Sequence, residues 1–340
     1  MTIIEDTDKL TKGWEAINRI PTIQYEYNQR KLVFEYGKLK LYHYAPKVKQ
    51  PRAIPLLVVF ATVNRPEILD LFPEKSFIGE LLASGLDVYL VDWGYPDYQD
   101  KEKGLGDYVI DYLHHAINFV VKDSNQPKID LLGICQGGII CLSFAILFRY
   151  IKNLVLISTP IDFQTEDNMV GQLLRKIDIN QMVDLIGNIP GQWLTQFFIS
   201  LRPFELVGQK YLRFYDHLGD DAWVNHFLRV EKWLNDAPDQ TGASFAELVN
   251  ELYHQNKLIK GEFYLSGQHV DLKKLTIPVL NVMAEEDEIV PVSASKDLGS
   301  YCESKDYSEL IFPSGHIGIY VSDKVGKTMP HQIAEWLKLR

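Results

Sequence analysis

The stretch DLLGICQGGII (130–140) passes from an apolar pentad through Gly133-Ile134-Cys135-Gln136-Gly137-Gly138 into a second apolar run. Gly133-x-Cys135-x-Gly137 has the spacing of a nucleophile elbow, a sharp strand-to-helix turn that exposes a reactive side chain. Cysteine stands here where serine is usual. The glycines have a steric cause: a turn this tight brings neighbouring backbones together, so the positions two before and two after the nucleophile must lack bulk. A nucleophile so placed also sits at a helix N-terminus, whose dipole and free N–H groups favour a thiolate and a developing oxyanion. The bland alternative is a glycine-rich turn around a buried, inert thiol. The flanks oppose it, because a strand pattern precedes the turn and a helical pattern, GGIICLSFAILFRY, follows.

Outward from the elbow, candidate strands alternate with candidate helices, which is the mark of a parallel sheet wrapped by helices. KLVFEY and LKLYHY, separated by Gly37-Lys38, read as an opening hairpin. IPLLVVF (54–60) is a buried strand leading into the polar turn ATVNRP, and EKSFIGELLAS (74–84) is a helix ending at Gly85. DVYLVDW is the next strand. In 106–122, Val109, Leu113, Ile117 and Val120 share one helical face. NLVLIS follows the elbow helix as another strand. The alternation then stops from about 161 to 270, a helix-like and aromatic-rich region containing QWLTQFFISLRPFELV and AWVNHFLRVEKWLNDAPD. It resumes with the strand IPVLNVMAEED (277–287), one helix in SASKDLGSYC (293–302), the strand SELIFPSGH (308–316) and a last helix, TMPHQIAEWLKL. The expectation is one α/β core, residues 1–160 and 271–340, interrupted by a helical cap at 161–270.

A nucleophile of this kind needs a base, and the base needs a group to orient it. In chains with such an elbow the order is nucleophile, acid, histidine. Asp287 follows the strand PVLNVM, and His316 follows SELIF. Both stand at the C-terminal ends of strands, where ligands gather in open α/β sheets. Glu285, Glu286 and Glu288 crowd Asp287, which is preferred for its position four residues before Pro291. Among nine histidines, His114 and His115 fall on a surface helix, His217, His226 and His254 lie in the insertion, and His269 borders it. His316 is bracketed by small residues in PSGHIG. An oxyanion hole needs two backbone donors. The candidates are the N–H of Gln136, next after the nucleophile, and that of Val63 in ATVNRP. Cys141 reads as core, and Cys302 as a loop thiol without a partner. Asp92-Trp93 and Arg65 read as turn-setting and ion-paired structural residues, with pocket lining and pairing to acid groups near the site or to anionic groups of a substrate as the alternatives.

Bulk properties narrow the class. A chain of 340 residues that is 46% hydrophobic can bury a large core. Net charge is −10 with no long basic run, which argues against nucleic acid as a partner. Three cysteines imply no disulfide framework, so a reducing cytoplasm is the expected setting. MTIIEDTDKLTKGW lacks the marks of a signal peptide, and no apolar run is long enough to be a transmembrane segment.

The elbow GICQGG, the strand-turn VYLVDWGYPD and the segment VNHFLRVEKWLNDAPDQ together resemble polyhydroxyalkanoate synthases, in particular the short catalytic subunits of class III and class IV. STPIDF and the His316 loop reinforce the likeness, which runs from KLKLYHYAP to the final helix. The resemblance implies an α/β-hydrolase fold and polymerisation of (R)-3-hydroxyacyl-CoA, typically 3-hydroxybutyryl-CoA, into polyester with release of CoA. It gives Cys135 the role of nucleophile, His316 that of general base and Asp287 that of the acid. No cofactor is implied, since CoA is part of the substrate and a product. A second, non-homologous synthase subunit of the PhaE or PhaR type is implied, in a homodimer or hetero-oligomer at the surface of cytoplasmic polyester granules. Glu288 departs from the family, where histidine often follows the aspartate. The rival readings are a cysteine-dependent hydrolase, either a polyester depolymerase or a thioesterase, and a non-catalytic granule scaffold.

Overall fold

The computed structural model describes residues 3–23, 25, 28–201 and 204–340. Eight strands form one sheet: β1 (Lys31–Tyr36), β2 (Leu39–Tyr44), β3 (Leu56–Val59), β4 (Val88–Asp92), β5 (Ile129–Ile134), β6 (Ile151–Ile157), β9 (Val279–Ala284) and β10 (Tyr307–Phe312). The remaining two, β7 (Tyr264–Leu265) and β8 (Gln268–His269), make a separate small hairpin. The order across the large sheet is β1-β2-β4-β3-β5-β6-β9-β10. β1, β2 and β4 pair antiparallel in turn, and every other neighbour is parallel.

The strand sequences explain this arrangement. LLVV of β3 and IDLLGI of β5 are buried at every position, as a central parallel strand covered by helices on both faces requires. The edge strands β1 and β10 are instead exposed or half-buried at all but the last position of β10. Helices and strands enclose two apolar layers. One holds Leu57, Val59, Leu131, Ile117 and Phe144, and the other holds Val58, Leu90, Leu132, Val282 and Met329.

The chain runs from β3 outward to β4, then returns past β3 to β5. The sheet therefore reverses its winding at β3 and β5, and the loops leaving their C-terminal ends open a crevice there. Those loops are the ones that carry Val63 and Cys135.

Three elements differ from sequence expectation. The 106–122 helix starts as a π-turn, Asp107–Tyr112, before the α-helix Leu113–Ser124. Such a turn adds one residue and is invisible to a 3.6-residue pattern, although Val109, Leu113, Ile117 and Val120 are all buried. SASKDLGSYC, expected as one helix, is broken into Val292–Ser295 and Leu298–Tyr301. The Ala294 carbonyl there accepts from the N–H groups of Ile161 and Asp162, at 2.7 and 2.9 Å, and so leaves the helical ladder. The insertion is not wholly helical, since it contains the β7–β8 hairpin. Its run 192–207 forms the helix Gly191–Leu201 and a π-turn, Phe204–Gln209, with Arg202 and Pro203 outside the described residues. Among the described residues, no helix is long and apolar enough to cross a membrane.

Candidate active site

Cys135 follows β5 and directly precedes the helix Gln136–Leu147. Its backbone is at φ 54° and ψ −122°, a left-handed conformation that a residue with a Cβ adopts at a cost of about 1–3 kcal/mol. The turn is held by Cys135 N–H on the Ile157 carbonyl and Gly138 N–H on the Cys135 carbonyl, both at 2.9 Å. A Cβ at Gly133 would lie 2.5 Å from the Gly138 Cα. One at Gly137 would lie 2.5 Å from the Val59 carbonyl oxygen and 2.6 Å from that of Phe60. Backbone cannot yield to such contacts, so the spacing seen in the sequence is a packing requirement.

Asp287 leaves β9 and His316 leaves β10, and the sheet register brings them together. His316 Nδ1 is 2.7 Å from Asp287 Oδ2. The other carboxylate oxygen accepts from the N–H groups of Ile289 and Val290, at 3.0 and 2.8 Å. The Asp287 side chain is fully buried and that of His316 is 13% exposed. Burial pulls the imidazole pKa down. The negative charges of Asp287 and Cys135, with hydrogen bonds to both, outweigh burial and hold His316 well above the ordinary histidine value. His316 thus pairs with the buried carboxylate and lies within the electrostatic influence of the Cys135 sulfur.

The rival residues lie elsewhere. Glu285 and Glu286 are exposed, and Glu288 is half-buried outside the Asp287–His316 pair. His114 packs against Phe148, His226 meets Glu74, and His254 and His269 bond backbone carbonyls. His115 and His217 likewise bond carbonyls one turn back. Cys141 is buried in the core, where burial pushes its thiol well up in pKa. Arg65 is committed to structure, with two hydrogen bonds to Asp92 at 2.7 and 3.0 Å and one to Glu67 at 3.1 Å. Trp93 donates to the Phe60 carbonyl.

An apolar cavity of about 150 Å³ opens over Cys135. Its floor includes Cys135, Gln136 and Ile139, and Val63 lies in its wall. Val170, Leu194 and Phe245 of the insertion cover it.

Sequence reading misses one network beside it. Thr62 Oγ1 lies 2.7 Å from Gln136 Oε1 and 2.6 Å from Gln240 Oε1. A hydroxyl has one proton to give, so one contact needs the opposite polarity. Turning the Gln136 amide over supplies it from Nε2, an atom otherwise buried and unpaired. Gln240 Nε2 also donates to the Thr62 carbonyl, and Trp233 Nε1 donates to that of Arg65 at 2.7 Å. Two insertion residues thereby fasten the turn on either side of Val63. A separation of 178 residues between Thr62 and Gln240 leaves no sequence signal for the pair. Among the described residues, no group of three or more His, Cys, Asp or Glu is placed to hold a metal ion.

A family described as alpha/beta hydrolase fold matches residues 65–323. The poly(3-hydroxyalkanoate) polymerase subunit PhaC of Allochromatium vinosum is 42% identical over 341 residues, covering 99% of this chain and 96% of that one. The chain belongs to the PhaC family. The subunit of the same name from Synechocystis sp. is also 42% identical, over 99% of this chain and 92% of its own. That of Haloferax mediterranei is 32% identical over 99% and 69%. Among solved structures, MenH from S. aureus aligns with a TM-score of 0.56 at 18% identity, over 89% of this chain and 99% of its own. A monoglyceride lipase variant from Saccharomyces cerevisiae also scores 0.56, at 14% identity over 93% and 96%. These two likenesses speak to the fold alone. PhaC membership agrees with the strand order, in which the antiparallel β1–β2 edge precedes a parallel α/β-hydrolase sheet.

Proposed function

We propose that this chain is the catalytic subunit of a polyhydroxyalkanoate synthase, moving (R)-3-hydroxyacyl groups from CoA to Cys135 and then to the hydroxyl end of a polyester. The observation that carries this reading is a buried His316–Asp287 pair that accompanies a strained elbow thiol beneath a nearly all-apolar cavity. Near-full-length likeness to PhaC subunits supports it.

His316, steadied by Asp287, takes the Cys135 proton or holds it as an ion pair. Sγ attacks the thioester carbonyl carbon, and the oxyanion faces the N–H groups of Gln136 and Val63. The intermediate collapses, the CoA sulfur leaves, and His316 protonates it through Nε2, the nitrogen not facing Asp287. Transfer between two thiols is nearly isoenergetic, so the acyl-cysteine stays reactive, whereas a serine ester would lie in a deeper well. The 3-hydroxyl of a second acyl group then attacks, its proton passes to neutral His316, and Sγ departs as thiolate. An ester is formed and the Cys135–His316 pair is restored.

Water in that second step would make the enzyme a thioesterase. Segment 161–270 acts as the cap that excludes it, supported by the cavity wall it contributes. The subunit is of class III or IV type and works with a second synthase subunit at the granule surface in the cytoplasm. Exposed Leu185, Trp193 and Phe204 on the cap are consistent with such contacts.

Feeding (R)-3-hydroxybutyryl-CoA while measuring CoA release and insoluble polymer tests this, with and without a candidate second subunit. Polymer accompanied by CoA release is expected. Release with only free acid would make the protein a thioesterase, and no release in either arm would leave a scaffold.

A further inference from the structure

The cavity over Cys135 presents hydrocarbon on almost every side, and its few polar groups have distinct surroundings. The Gln136 amide is engaged by Thr62, and its remaining atom is sealed from solvent. Trp193 is half-exposed at the rim. Tyr253 differs from both. Its ring lines the cavity and is locked edge-on against Phe163, with centroids 4.9 Å apart at 77°. Its hydroxyl makes no hydrogen bond among the described residues and is not among the sealed polar atoms. It also senses the charge of Cys135, which with burial raises the pKa of the phenol and keeps it protonated. The backbone around it is the π-turn Leu248–His254, a local irregularity of the kind that gathers at functional sites. His254 fixes that turn by bonding the Leu174 carbonyl at 3.0 Å.

We infer that the Tyr253 hydroxyl is the recognition group for the 3-hydroxyl of the acyl chain held on, or approaching, Cys135. This rests on the proposed acyl transfer and adds the residue that distinguishes a hydroxyacyl group from a plain acyl group. The 3-hydroxyl is the one polar group on a short chain otherwise suited to a hydrocarbon-lined space. Entering that space, it loses water and needs a partner. Tyr253 is fixed there with an unspent donor and an unspent acceptor. A butyryl chain would instead strand the phenol without water or partner, so the site rejects it as sites built around a substrate hydroxyl reject analogues lacking one.

The test is single-turnover acylation of the full chain by (R)-3-hydroxybutyryl-CoA and by butyryl-CoA, in wild type and in Tyr253→Phe. The change removes one oxygen and keeps the ring packing on Phe163, and circular dichroism verifies the fold. Wild type is expected to acylate faster with the hydroxy substrate by about tenfold or more, and Tyr253→Phe to bring the two rates within about threefold. An unmoved ratio overturns the assignment, even if both rates fall together, because a role in steadying the thiolate would slow both substrates alike. Wild type that accepts no acyl group from either substrate overturns the underlying acyl transfer as well. The two failures are therefore distinct.

Discussion

Replacing Asp287 by Asn keeps the shape of a buried side chain while reversing one hydrogen bond. One Asp287 oxygen is held by the Ile289 and Val290 N–H groups at 3.0 and 2.8 Å, so an asparagine Oδ1 must remain there. Its Nδ2 is then forced into the position 2.7 Å from His316 Nδ1 and donates where the carboxylate accepted. The imidazole must answer by carrying its proton on Nε2. That is the nitrogen needed to take a proton from the incoming 3-hydroxyl. In serine proteases the same tautomer inversion, caused by the same change of aspartate to asparagine, lowers turnover about 10⁴-fold, or roughly 5.5 kcal/mol of barrier. Elongation should fall by that order here. Acylation should fall less, by about 10²-fold, because a thiol gives up its proton far more readily than the incoming hydroxyl does. Rapid-quench measurement of the first CoA released, beside steady-state polymer yield, separates the two steps. Elongation within about threefold of wild type, in a variant that unfolds normally, would refute the reasoning.

Other consequences are simpler. Cys135→Ala removes a charge that raises His316, so the imidazole pKa measured by NMR should drop relative to wild type. The sign for stability follows: His316 contributes below its ordinary value of 6.5, and the contribution is lost as pH rises through the raised folded-state value. In Cys135→Ala that loss should be smaller and complete at lower pH in urea titrations. Gln240→Ala releases the turn that carries Val63 and should lower the acylation rate about tenfold with little change in KM, a fraction of the effect of removing an oxyanion donor outright. Arg65→Met leaves Asp92 and Glu67 buried without their partner and should cost about 3–5 kcal/mol in urea unfolding.

The elbow is legible in sequence because its glycines answer to backbone contacts that no side chain can avoid. Asp287 and His316 are legible as candidates because strand ends can be read from apolar runs, and the candidates fall on adjacent strands whose register is parallel. In sequence the choice of Asp287 over Glu285 and Glu286 rests on its distance from Pro291 alone, whereas the fold shows which carboxylate turns inward. The Thr62–Gln240 latch and the Trp233 bond to Arg65 are not legible at all. They join ordinary polar residues across long separations, and their meaning comes from the turn they grip. Tyr253 is hidden for a different reason. A π-turn shifts the helical phase, so a pattern that reads the insertion as core does not reveal which aromatic reaches the cavity.

The most direct measurement is peptide mapping by mass spectrometry after brief exposure to (R)-3-hydroxybutyryl-CoA, with polymer collected from the same reaction. A hydroxybutyryl group, and a ladder of its oligomers, should appear on the peptide containing Cys135 and vanish in Cys135→Ala. Polymer formed with no adduct at Cys135, or undiminished in Cys135→Ala, would contradict covalent transfer through that thiol.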